Sequence, residues 1–144
     1  MNSKAVGEIS EAVVLAELIK QGKTVLLPFG DNQRYDMVVE ENNNFTRIQV
    51  KTGRIDNGCV VFNTVSISPF TNVHKGYKGE ADLFAVYSPD LNKVYWIPVD
   101  DAPAGSMRLR VKNPFKASPN INWAEDYEIL SIGVGPNGLT ESVL

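Results

Sequence analysis

Residues Arg34 to Lys51, RYDMVVEENNNFTRIQVK, decide how the rest of the chain is read. Two runs of alternating and β-branched residues, Tyr35 to Glu40 and Phe45 to Lys51, flank a Glu41-Asn42-Asn43-Asn44 bend, the pattern of two adjacent antiparallel strands. Side chains on a strand change face at every step, so Gln49 and Lys51 share one side while Ile48 and Val50 share the other. Residues two apart on a strand lie about 6.5 to 7 Å apart, close enough for both side chains to reach one phosphate group. Asp36, on the partner strand, can face the same spot. A carboxylate, a metal-binding oxygen and a lysine gathered on one side of a bent hairpin suit the hydrolysis of a phosphodiester.

Upstream, Ser3 to Gln21 is the one long helical pattern: Ile9, Val13, Ala16 and Leu18 with Ile19 recur at helical spacing, and Gly22 follows as a stop. Glu11, Leu15 and Leu18 share a stripe, which sets Glu11 beside the apolar face. On spacing alone, Glu8 and Glu11 both read as solvated acids near a helix N-terminus, where the macrodipole favours them. Thr24 to Phe29 reads as the first strand, closed by Pro28 and the turn-rich Gly30-Asp31-Asn32. Downstream, Asp56-Asn57-Gly58 is a tight hairpin signal, and Cys59 to Thr64 is expected to return alongside the strand that bears Lys51. Together these predict a sheet of at least four strands with the helix lying on it.

Ser66 to Glu80 has no clear periodicity and reads as a loop carrying the single histidine, His74, among Lys75, Tyr77 and Lys78. With no second His or Cys at ligand spacing, His74 reads as a solvated side chain and not as a catalyst. If the partner is DNA, this loop offers cations and an aromatic for backbone contact. Asp82 to Ser88 and Lys93 to Val99 pair around Pro89-Asp90-Leu91-Asn92, with Tyr87, Tyr95 and Trp96 as packing residues. Asp100-Asp101-Ala102-Pro103 reads as a single helical turn. Met107 to Lys112 alternates, setting Arg108, Arg110 and Lys112 on one face and Met107, Leu109 and Val111 on the other. A cationic strand face fits the rim of a DNA groove, and a merely solvated face has the same pattern. Asn120 to Tyr127 reads as a short helix, and residues 133–144 as a tail on a single domain spanning 1–132.

Composition narrows the class. The 43% hydrophobic and 22% charged content is that of a globular domain, with no membrane span and no secretory or mitochondrial leader, since Glu8, Glu11 and Glu17 interrupt the first twenty residues. One cysteine, Cys59, excludes an internal disulfide, fits a reducing cytoplasm, and reads as a small buried hydrophobe. The net charge of −3 argues against a nucleic-acid binder held by bulk electrostatics, yet cations cluster locally at Arg108, Arg110, Lys112 and Lys116. A metal-dependent nuclease must carry carboxylates, so its total charge says little about the face that meets DNA.

A helix with an acid near its start, then an aspartate, then a hydrophobic strand ending in acid-x-Lys is the pattern of the PD-(D/E)XK nuclease superfamily, which this chain resembles; here the pieces are Glu11, Asp36 and Gln49-Val50-Lys51. The likeness is closest to the branch holding group I intron-encoded homing endonucleases and related small bacterial endonucleases. It rests on Gly7-Glu8-x-x-Glu11-Ala12, Tyr35-Asp36, Arg47-Ile48-Gln49-Val50-Lys51-Thr52, Asp82-Leu83-Phe84-Ala85-Val86-Tyr87 and Tyr95-Trp96-Ile97-Pro98-Val99, and covers most of residues 4 to 128. The resemblance implies an α/β fold with a restriction-endonuclease-like core: an N-terminal helix packed on a mixed central sheet, with additional β-hairpins. It also implies cleavage of double-stranded DNA in the bacterial cytoplasm with Mg²⁺, or Mn²⁺ as a substitute, by a homo-oligomer, dimer or tetramer.

Carried over residue by residue, Glu11 and Asp36 would be metal-binding carboxylates and Lys51 the motif lysine. Gln49 would take the position of the second motif acid, departing from the pattern by one charge while keeping an amide oxygen that ligates hard cations. Candidate DNA contacts are Arg54, His74, Lys75, Lys78, Arg108, Arg110, Lys112 and Lys116. Two alternatives stand beside homing: a repair, restriction or junction-resolving nuclease of the same fold, and a catalytically inactive DNA-binding protein on that scaffold, which the neutral Gln49 motivates.

Overall fold

A computed structural model of the chain describes residues 1–114, 116 and 118–132, so the expected tail at 133–144 lies outside the described residues. Helix α1 spans Ser3–Lys20. The Asn2 side chain accepts from the Ala5 backbone N–H at 2.9 Å and satisfies one of the free donors of the first turn. At the other end Gly22, at φ 78°, reverses the chain, and the N–H groups of Gly22 and Lys23 bond the carbonyls of Ile19 and Leu18. The buried stripe differs from the expected one. Ser10, Val14 and Leu18 face the sheet, whereas Ile9, Ala16 and Ile19 are exposed. Apolar residues occur all round this helix, so periodicity does not choose a face. Ser10 enters the core because its hydroxyl donates to the Val6 carbonyl and bonds the Thr52 hydroxyl on the facing strand.

Ten strands follow among the described residues: β1 (Thr24–Leu26), β2 (Met37–Glu41), β3 (Asn44–Thr52), β4 (Arg54–Asp56), β5 (Cys59–Asn63), β6 (Val65–Ile67), β7 (His74–Gly76), β8 (Leu83–Ser88), β9 (Lys93–Pro98) and β10 (Ser106–Arg110). The main sheet runs in the order β1-β2-β3-β8-β9. Strand β1 stops at Leu26 instead of running to Phe29, which is exposed. The β2–β3 hairpin pairs Met37 with Ile48 through to Glu41 with Asn44, and its two turn residues Asn42 and Asn43 sit at φ 52° and 63°. Two consecutive left-handed residues make the turn whose twist matches that of the strands, and asparagine tolerates that conformation.

The partner of β3 corrects the sequence reading. Cys59 to Asn63 does not return beside the strand bearing Lys51; it pairs with β4 on one side and β10 on the other, in a separate sheet ordered β10-β5-β4. The second neighbour of β3 is β8, parallel, in a register running from Ile48 with Leu83 to Thr52 with Tyr87. A parallel strand covered on both faces reads as a continuous apolar run, and Leu83, Phe84, Ala85 and Val86 are all buried. On one face Ile48, Val50, Leu83 and Ala85 pack against Val14 and Leu18 of α1. On the other, Phe84 and Val86 pack with Val60, Phe62, Met107 and Leu109 of the small sheet. Cys59 is buried in that small sheet.

Three further expectations change. The segment Ser66 to Glu80, read as a loop, contains the two-stranded β6–β7 ladder from Val65 with Gly76 to Ile67 with His74. Strands of three residues are too short to show alternation. Strand β10 ends at Arg110, leaving Val111 and Lys112 beyond it, where both N–H groups bond the Gly58 carbonyl. The expected helix at Asn120 to Tyr127 shrinks to a 3-10 turn over Ala124–Tyr127.

Gly53 joins β3 to β4 where the chain leaves the main sheet, its N–H still bonded to the Tyr87 carbonyl at 2.8 Å. A Cβ at this position would overlap Val60 Cγ1 and stand 3.0 Å from Val86 Cγ1, inside the seam between the two sheets. Gly53→Ala is therefore expected to lose about 1–3 kcal/mol of stability by overpacking. Gly7→Ala, on the helix with nothing within 4 Å of the new Cβ, should gain about 0.5–1 kcal/mol. Urea denaturation of the two variants checks the opposite signs.

Candidate active site

The end of the β2–β3 ladder is where the predicted site residues converge. Asp36 precedes β2, and its N–H bonds the Ile48 carbonyl at 2.8 Å. Its carboxylate then accepts the Val50 N–H, also at 2.8 Å, taking the place of a backbone partner just where the two strands part. One step beyond the Met37–Ile48 pair, Asp36 lies across from Gln49. From the other side α1 delivers Glu11, close enough for its carboxyl and that of Asp36 to act on each other's protonation. The two acids thus meet.

Their protonation records the crowding. Glu11 is pushed up to about 7 by desolvation first, then by the charge of Asp36, the hydrogen bond it donates to Asp36, and the charge of Glu8. Asp36 is also raised by its burial, against the opposing pull of the Val50 N–H, the Glu11 hydrogen bond and the Lys51 ammonium. Burial and mutual proximity thus hold both carboxyls above their ordinary values. The donor set of Glu11, Asp36 and the Gln49 amide oxygen is all oxygen, as hard divalent ions require. Gln49 spends its amide N–H on the Val50 carbonyl at 3.4 Å, and its oxygen accepts no hydrogen bond among the described residues. No group of three His, Cys, Asp or Glu residues suited to a metal occurs among the described residues.

Lys51 lies near enough to draw Asp36 downward, yet its ammonium forms no ion pair among the described residues. It donates to the Tyr77 hydroxyl at 3.1 Å and the Val65 carbonyl at 3.4 Å, and lies 4.6 Å from the centre of the Tyr77 ring. Sequence reasoning offered Tyr77 as a surface aromatic of a loop, whereas it is only 5% exposed. Arg34 was likewise not singled out. Its guanidinium stacks on Tyr77, 4.1 Å from the ring centre, and bonds Glu80, Ser66 and the carbonyls of Lys75 and Gly76. A cation directly ahead of the hairpin was the only available signal for it.

The candidate DNA-contacting cations fall into two groups. The register sets Arg54 and Arg108 either side of Val61, and Arg110 beside Cys59, so all three share the outer face of the small sheet. Two of them already have protein partners: Arg108 pairs with Asp56 at 2.7 Å and Arg110 donates to the Asn57 carbonyl at 2.8 Å. Lys112 and Lys116 are exposed beyond that strand. His74 and Lys75 lie on β7, with Lys75 bridged to Glu80 at 3.1 Å, and Lys78 follows two residues after β7 ends. No helix among the described residues is long and apolar enough to cross a membrane.

A leading helix and a mixed sheet that bring together two acids and a strand-borne lysine define a class of α/β nucleases. The chain belongs to the PD-(D/E)XK endonuclease family, which matches residues 1–130. It is therefore a DNA endonuclease, of a family whose members generally use divalent metal ions. Among solved structures it is similar to that of a bacterial homing endonuclease, I-Ssp6803I, with a TM-score of 0.66 and 22% identity over 88% of this chain and 86% of that one. At this identity the likeness is one of fold. No curated protein matches the sequence.

The carboxyl pair makes stability depend on pH. Folded Glu11 holds its proton to about 7, whereas its ordinary value is 4.5, so between these values the folded state binds more protons and stability falls as pH rises. Glu11→Gln removes this liability. Its thermal midpoint is expected to exceed that of the unsubstituted protein at pH 8, with the gap closing toward pH 5, as followed by differential scanning calorimetry without divalent ions.

Proposed function

We propose that this chain is a metal-dependent, site-specific double-strand DNA endonuclease of the homing type, with residues 1–132 as its nuclease domain and Mg²⁺ as the working ion. The observation that carries the proposal is the Asp36 carboxylate, held by the Val50 N–H and lying across the ladder from Gln49, two residues before Lys51 on the same strand. The fold likeness to a homing endonuclease over most of both chains supports the homing type over repair, restriction or junction resolution.

Glu11, Asp36 and the Gln49 amide oxygen would hold the ion. When bound, the ion supplies charge neutralisation at the phosphate and a more acidic water for in-line attack. Asp36 is kept in place by the Val50 N–H, so its oxygens need no reorganisation on loading. Glu11 would hold a cation only in its deprotonated form, so its raised value makes divalent-ion affinity rise with pH. Lys51, a compact cation with three donors, stabilises the negative charge that develops on the phosphoryl oxygens. The cations of the small-sheet face and of β7 contact the DNA backbone and make affinity salt-sensitive. One carboxyl pair serves one strand, so cutting both strands at a near-palindromic site calls for a dimer or tetramer.

Lys51→Met is expected to lower single-turnover cleavage of a DNA target by roughly 10²-fold to 10³-fold while leaving DNA affinity nearly unchanged. Cleavage of plasmid DNA in Mg²⁺ but not in EDTA is the accompanying expectation, and equal cleavage in both would sink the metal role. Gln49→Glu, which adds the missing carboxylate, should tighten divalent-ion binding in calorimetric titration.

A further inference from the structure

We propose that Tyr77 is a positioning residue that holds the Lys51 ammonium on course for the phosphate, and that Arg34 in turn holds Tyr77. The proposal rests on the assignment of Lys51 as the lysine of the site. A lysine amine at the end of four rotatable bonds scatters widely unless something fixes it, and a freely moving donor contributes little to a developing charge. Here no carboxylate does the fixing among the described residues. The ammonium has two acceptors, the Val65 carbonyl at the start of β6 and the Tyr77 hydroxyl just past the end of β7.

The tyrosine is built for this contact. Its ring is buried and packs edge-on against Phe84, centroids 5.6 Å apart. A buried phenol needs a partner for its hydroxyl, and the only one among the described residues is Lys51. Phenylalanine would fill the same space without placing an oxygen beside the amine. Arg34 lies against the ring with its planar fork spread over Ser66, the Lys75 and Gly76 carbonyls and Glu80, which ties the β6–β7 ladder to the tyrosine. Residues 34 and 36 then act from one short segment: one holds the tyrosine that aims the amine, the other supplies the carboxylate.

Single-turnover cleavage and DNA affinity, measured for Tyr77→Phe, Lys51→Met and the double variant, test this. Tyr77→Phe should cleave roughly 10-fold to 100-fold more slowly at unchanged affinity, the loss of one hydrogen bond to a charged group. In the Lys51→Met background the same substitution should have no further effect, because its target is gone. Wild-type cleavage by Tyr77→Phe, or an equal loss in both backgrounds, overturns the positioning role while the nuclease assignment stands. Wild-type cleavage by Lys51→Met instead removes the assignment of Lys51, and the proposal with it. A measurement that needs no variant uses ¹⁵N-resolved spectra of the lysine ammonium groups. Lys51 should exchange its protons with water about tenfold more slowly than the exposed Lys20, and equal rates would overturn the proposal.

Discussion

The parallel ladder between β3 and β8 is the constraint on which the rest depends. Antiparallel neighbours can be joined by two residues, as Asn42 and Asn43 join β2 to β3, but a parallel partner requires the chain to travel back to the starting end. The return here occupies residues 53 to 82. It contains β4 and β5, which with β10 cover one face of the main sheet, and the β6–β7 ladder, which ends beside the lysine. The excursion that topology demands is thus also what encloses one side of the candidate site.

The site sits where regular pairing fails. Beyond Met37 the β2–β3 ladder gives way, and the N–H of Val50 turns to the side chain of Asp36. That single substitution of a carboxylate for a backbone carbonyl holds an acid at the mouth of a splayed hairpin, where α1 adds a second one. The raised protonation of both acids is a cost in the folded state, consistent with local stability given up for a cation-binding arrangement. Opposite them, the amine of Lys51 is held by neutral oxygens, so its charge stays available for phosphate.

Much of this was legible from residues alone. Asn-Asn and Asn-Gly turns tolerate left-handed backbone, so both tight hairpins could be read from a few letters. Strand alternation set Gln49 and Lys51 on a shared face, and the Glu11-to-Lys51 pattern carried the family resemblance. The helix face was not legible, because apolar side chains surround α1 and a buried serine takes a central position. The partner of β3 was not legible either. Local pattern records how buried a strand is, but not which distant strand buries it.

By itself, then, the sequence determined the helix with its glycine stop, the turn-linked strands, and an acid-rich motif ending in lysine, since each depends on backbone preference within a few residues. Only the tertiary structure decided that β8 lies beside β3 and that Tyr77 and Arg34 lie behind the lysine. These depend on contacts between residues tens of positions apart. Packing of whole sheets settles such contacts, and no short window of sequence encodes it.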